Sequence, residues 1–165
     1  MPMLLKGSCH CGAVRFSVET HTPVPYQLCY CSICRKQQGG GGYAINLGAD
    51  AQTLEIEGEE HLGLYRASVQ DDERPACEIS SGERRFCREC GSALWLYDPT
   101  WPELVHPFAS AIDTELPAAP SRVHLMLKYK ASWVEPEIGA NDAAFELYPE
   151  ESIAGWHKRT GLWVE

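Results

Sequence analysis

The sequence predicts a mainly β domain that carries metal-binding cysteines and one short helix near its C-terminus. Three observations predict it. Short runs alternate apolar and polar residues with the period of a strand. Fourteen glycines and eleven prolines punctuate those runs, as a chain with many turns requires. Eight cysteines fall mostly in close-spaced clusters.

Taken in order, AVRFSVET (13–20), GYAINLGA (42–49), TLEIEGE (53–59) and HLGLYRAS (61–68) read as strands bounded by Gly or charged turns. ACEIS and RRFC flank Ser81, Gly82 and Glu83, which read as a tight hairpin turn. SALWLYD (92–98) and RVHLMLKYK (122–130) alternate again. DPTWPELVHP (98–107) and DTELPAAPS (113–121) read as irregular loops. The helix falls in PEESIAGWHKRTG. Pro149 suits a first-turn position, Glu150 and Glu151 suit the positive end, His157, Lys158 and Arg159 suit the negative end, and Gly161 ends it.

A length of 165 residues suits one domain with a real core, so cysteines are not needed merely to hold it together. Hydrophobic residues make up 44% and charged residues 22%, which excludes disordered and collagen-like chains. A net charge of −9 argues against nucleic acid as a partner, because a phosphate-backbone binder needs clustered Lys and Arg. Only Arg84-Arg85 and Arg35-Lys36 cluster, and a local basic pocket for a small acidic ligand stays open. The N-terminus MPMLLKGSCHCG is too short and too soon polar for a signal peptide. No stretch approaches the roughly 20 apolar residues of a membrane span. The expected setting is the cytoplasm, with no membrane partner, where cysteines serve as metal ligands or catalytic thiols rather than in disulfides.

The cysteines sort by geometry. In an extended CHCG, Cys9 and Cys11 face one side and His10 the other. In FCRECGS, Cys87 and Cys90 have zinc-knuckle spacing, and Gly91 can close the turn. Together these two pairs make a closed four-thiolate site with a structural role, clipping the N-terminal segment to the middle of the chain. Cys29, Cys31 and Cys34 remain, an i, i+2 pair followed by an i, i+3 pair, whose sulfurs can all face one ion. Three protein ligands and an open position mark catalytic zinc, and a thiol bound there becomes a thiolate.

Cys77 is the spare. It could complete a second closed site around the trio, or the trio could hold no metal. The expected hairpin places Cys77 opposite Cys87 or Phe86, local to the closed site. Gly39 to Gly42 read either as a flexible loop or as space for substrate beside the metal. Arg35 and Lys36 read either as solvated charges or as a carboxylate clamp.

CHCG, then CYCSICR, then FCRECGS, in this order and spacing, resembles the glutathione-dependent formaldehyde-activating enzyme family, to which centromere protein V also belongs. The resemblance runs from about Lys6 to the KYKASWVEP segment. It implies a β-tent fold of packed antiparallel sheets in one domain over 1–165, with a core of about 6–135 and a C-terminal extension over 136–165. It implies two zinc ions per chain, a structural one at Cys9, Cys11, Cys87 and Cys90 and a second at Cys29, Cys31 and Cys34. In the family's reaction, glutathione and formaldehyde join to give S-hydroxymethylglutathione, classed as a carbon–sulfur lyase reaction in reverse.

The expected function is therefore that of a zinc enzyme acting on an adduct of glutathione, or another small thiol, with a small carbonyl compound. Cys29, Cys31 and Cys34 hold the catalytic zinc in this reading, and Arg35, Lys36, Gly39 and Gly40 bind substrate. The alternative is a zinc-stabilised binding module without catalysis.

Overall fold

The computed structural model describes residues 1–38 and 40–165. In chain order the elements are β1 (Met3–Ser8), β2 (Arg15–Thr20), β3 (Gln27–Cys29), α1 (Ser32–Gln38), β4 (Ala44–Ile45) and β5 (Ala49–Asp50). Next come β6 (Glu55–Glu57), β7 (Leu62–Tyr65), β8 (Ser68–Val69), β9 (Glu78–Ile79) and β10 (Glu83–Cys87). The last are β11 (Ala93–Tyr97), β12 (Leu104–Pro107), β13 (Val123–Leu125), β14 (Ala143–Ala144) and α2 (Ile153–Thr160). The protein is mainly β. Among the described residues the sheets run β1-β2-β6, β5-β12-β11-β10-β7 and β14-β13-β3-β4, and β8 pairs with β9 as a separate ribbon. Pairing is antiparallel except that β13 runs parallel to both β3 and β14. No helix among the described residues is long and apolar enough to cross a membrane.

Strand periodicity builds the main core. Along β1 and β2, Leu5, Phe16 and Val18 point inward while Lys6 and Arg15 stay exposed. They pack with Leu94, Trp95 and Val105 of the five-stranded sheet. The Phe16 and Trp95 rings meet edge to face at 5.0 Å. Gly7 makes this approach fit, since a Cβ there would lie 2.3 Å from the Phe16 ring.

Helix α2 starts at Ser152, whose hydroxyl accepts the Gly155 N–H at 3.0 Å. It ends at Gly161, which takes a left-handed φ of 73°. Pro149, expected in the first turn, lies before the cap, so the helix starts later than expected: a capping hydroxyl outweighs a proline's fixed φ. Trp156 is buried and stacks on Tyr26 with ring centroids 3.8 Å apart. Truncating a buried Trp costs about 3–5 kcal/mol, so this stack is a main anchor of the C-terminal helix.

Other expectations are corrected. The 76–80 and 84–87 runs do not form a hairpin. β10 has both edges occupied, by β7 and β11, and β9 turns away to pair with β8. DPTWPELVHP is not wholly a loop, because Leu104–Pro107 pairs with β11 and β5. RVHLMLKYK stops being a strand at Leu125, since Met126 takes a left-handed φ of 59° and a 3-10 turn follows. GYAINLGA breaks into β4 and β5, and HLGLYRAS into β7 and β8. Helix α1 was not expected at all.

Candidate functional site

The structure brings the cysteines together in two sets. The sulfurs of Cys9, Cys11, Cys87 and Cys90 all lie within 4.8 Å of one another, as do those of Cys29, Cys31 and Cys34. None of the eight cysteines is in a disulfide.

In the four-cysteine set, Cys9 Sγ lies 3.7 Å from Cys11 Sγ, and Cys11 Sγ lies 3.8 Å from Cys87 Sγ. Zinc–thiolate bonds of about 2.3 Å in a tetrahedron put neighbouring sulfurs about 3.8 Å apart, so the set fits a zinc ion. An extended CHCG was expected, but Cys9 to Gly12 form a turn in which the Gly12 N–H bonds the Cys9 carbonyl at 3.1 Å. The sulfurs converge all the same. His10 is exposed and stands outside the set, while its backbone N–H bonds the Ser92 hydroxyl at 3.0 Å. Gly91 takes a left-handed φ of 79° and its N–H bonds the Cys87 carbonyl, closing the second turn.

The trio is built across a strand-to-helix junction. Cys29 ends β3. Cys31 caps α1: its carbonyl accepts the Arg35 N–H at 3.0 Å, and its sulfur accepts the Cys34 N–H at 3.3 Å. Cys34 sits in the first turn. Hydrogen bonds from the Cys29 and Cys31 thiols, helped by the Arg84 guanidinium, hold the Cys34 thiol well below its ordinary pKa. The same contacts, from Cys31 first and then Cys34, push the Cys29 thiol up. Three sulfur donors of this kind suit zinc, and no fourth ligand joins them among the described residues.

The trio opens on a cavity of about 400 Å³, the size of a small-ligand site. Its sheet wall is a row across three strands. Arg84 on β10 pairs with Leu96 on β11, which pairs with His106 on β12, and all three line the cavity. Arg74 also lines it, tied to Asp71 at 2.8 Å. Arg84 is only 9% exposed, with Nη2 3.8 Å from Cys34 Sγ. His106 Nδ1 donates to the Leu47 carbonyl at 2.9 Å, which leaves Nε2 as the acceptor, and burial lowers its pKa.

The residues expected to bind substrate are not in this wall. Arg35 and Lys36 do not line the cavity. Lys36 is exposed and borders a separate hollow beside Cys9 and Cys90. Gly40 is exposed with φ 60°, and Gly39 lies outside the described residues. Cys77 is exposed and belongs to neither cysteine set. With β9 paired to β8, the expected placement of Cys77 opposite Cys87 fails. The sequence marks Arg84 only as half of a basic pair and gives no sign of His106 at the site. The signal for Arg84 was present: it stands one side-chain period from Phe86 on the strand that delivers Cys87.

A sequence profile described as "Glutathione-dependent formaldehyde-activating enzyme" matches residues 4–128. A Halomonas elongata protein whose name carries the same description is 59% identical over 160 residues, covering 97% of this chain and 98% of that protein. A crystal structure of a Rhodobacter sphaeroides protein matches with a TM-score of 0.49 and 28% identity, over 69% of this chain and 99% of that one. The profile match and the full-length relative place this chain in the glutathione-dependent formaldehyde-activating enzyme family.

Proposed function

We propose that the protein makes and breaks the carbon–sulfur bond between a small thiol and a small carbonyl compound, with glutathione and formaldehyde as the reference pair. The observation that carries this reading is the trio: three cysteine sulfurs converge on the wall of a cavity, and no fourth protein ligand closes the set among the described residues. A zinc ion held by Cys29, Cys31 and Cys34 would stabilise a substrate thiol as its thiolate. The family profile and the Halomonas relative's name support glutathione and formaldehyde as substrates.

The chain's own groups fit the proton and charge movements. In the forward direction a thiol loses its proton, sulfur bonds to the carbonyl carbon, and the oxygen gains a proton. His106 is held neutral, and its Nε2 has no hydrogen-bond partner among the described residues, so it can take the thiol proton at the cavity wall. In reverse it returns that proton to the departing thiol. The four-cysteine set has the other role in this reading, a structural clip between the turn after β1 and the end of β10.

The test is exchange NMR on formaldehyde and glutathione at equilibrium. The protein should raise the interconversion rate above the spontaneous one, and a Cys34→Ser variant should not. An unchanged rate with zinc-loaded wild type would contradict the reaction.

A further inference from the structure

We propose that Arg84 holds the carbonyl-derived oxygen as the carbon–sulfur bond forms and breaks, and so acts as a catalytic residue of the reaction proposed above, on which this inference rests. Arg84 is 9% exposed, yet its Nη1 is buried without a hydrogen-bond partner among the described residues. The neighbouring guanidiniums each have a carboxylate: Arg74, whose own Nε is also buried and unpartnered among the described residues, pairs with Asp71 at 2.8 Å, and Arg85 with Glu83 at 3.5 Å. Arg84 has no carboxylate partner among the described residues. A buried guanidinium with a spare donor is costly unless something else completes it.

Its position says what that is. Arg84 Nη2 lies against Cys34 Sγ at 3.8 Å, so the fork reaches groups beside the trio rather than at the far end of the cavity. In a hemithioacetal the oxygen is one carbon away from the sulfur. The carboxylates of glutathione lie at the ends of its two arms, many bonds away. A donor set beside the sulfurs therefore matches the reacting oxygen better than a carboxylate.

The chemistry balances without a further reagent. As the thiolate sulfur bonds to the carbonyl carbon, the C=O π pair moves onto oxygen. The Arg84 guanidinium donates to that oxygen, which then takes the proton that His106 removed from the thiol. In reverse, the hydroxyl gives its proton to His106, the C=O bond re-forms, and the departing sulfur takes that proton. Arginine stays charged throughout, so it stabilises the oxyanion without itself transferring a proton.

The experiment compares wild type with Arg84→Met and Arg84→Lys, each checked for zinc content and thermal melting. Exchange NMR gives kcat and the KM for glutathione, and calorimetry gives the affinity for glutathione alone. In Arg84→Met, kcat should fall about 100-fold, as for loss of one oxyanion donor. Affinity for glutathione should stay within about threefold, because the oxygen is absent from that ligand. Arg84→Lys, which keeps the charge without the fork, should recover part of kcat and serves alone if the Met variant does not fold. Unchanged kcat in a folded variant would overturn the role. So would a tenfold loss of glutathione affinity that disappears with the glutathione diester, which would make Arg84 a carboxylate anchor. A wild type that fails to accelerate exchange contradicts the reaction itself, whereas a fast wild type with equally fast variants contradicts only Arg84's part.

Discussion

The Tyr30 hydroxyl lies 2.8 Å from Nδ1 of His124, and the Nε2 of that ring faces Asp142 Oδ2 at 3.2 Å. Asp142 also accepts the Gly139 and Arg122 backbone N–H groups, which hold its carboxyl down to about 2. The ionised carboxylate accepts from Nε2–H, so Nδ1 accepts the hydrogen bond that the tyrosine hydroxyl donates. Tyr30 stands between Cys29 and Cys31, and its buried ring fixes the backbone from which both sulfurs project.

Tyr30→Phe removes one link and leaves a buried histidine nitrogen unpaired. The expected cost is about 1–3 kcal/mol, read by urea denaturation. Metal at the trio should also exchange faster with a chelator, while metal at the four-cysteine set should not. Equal loosening at both sets would mean a global effect instead.

Metal content follows from the two sets. The zinc-grown protein should hold two ions per chain. A mild chelator should remove the trio's ion first with little change in far-UV circular dichroism, because three donors at a cavity release metal more readily than four. Stripping the second should unfold the junction of β1 and β10. Cys77→Ser should leave both ions in place, as Cys77 belongs to neither set. Loss of an ion in that variant would show a closed second site.

Acid should loosen the C-terminal helix. His157 Nδ1 donates to the Ile153 carbonyl at 2.8 Å, and Nε2 accepts the Val24 N–H at 3.1 Å, so the ring must be neutral. Burial lowers the pKa of His157, and that of His106 likewise. The unfolded chain then binds more protons below about pH 6.5, and stability falls as pH drops from there through the lowered folded values. Depressed carboxylates such as Asp142 and Glu151 lose stability in the same direction, but below about pH 4. Denaturation midpoints between pH 7.5 and 5.5 should fall in wild type. They should fall less in His157→Gln, which cannot titrate there.

Much of this was legible in the sequence because spacing and chemistry agree. CHCG and CRECG met as one set even though the first is a turn, since both an extended strand and a tight turn can bring i and i+2 sulfurs together. The trio was legible because all three donors are local. Helix α1 was not, because its cap is Cys31 rather than Ser, Thr, Asp or Asn, and a four-glycine run hides its end. The cavity wall was not legible either. Arg84, Leu96 and His106 meet only through strand register, and register across β10, β11 and β12 is a long-range property. Arg35 and Lys36 looked better placed because they are next to the trio in sequence. On a helix that starts at Ser32, adjacent residues turn to different faces.

The most direct test of the central claim is a crystal structure grown with zinc and glutathione. Zinc should occupy both cysteine sets, with the glutathione sulfur about 2.3 Å from the ion held by Cys29, Cys31 and Cys34, inside the cavity lined by Arg84 and His106. A fourth protein ligand on that ion, or glutathione bound away from it, would contradict the account.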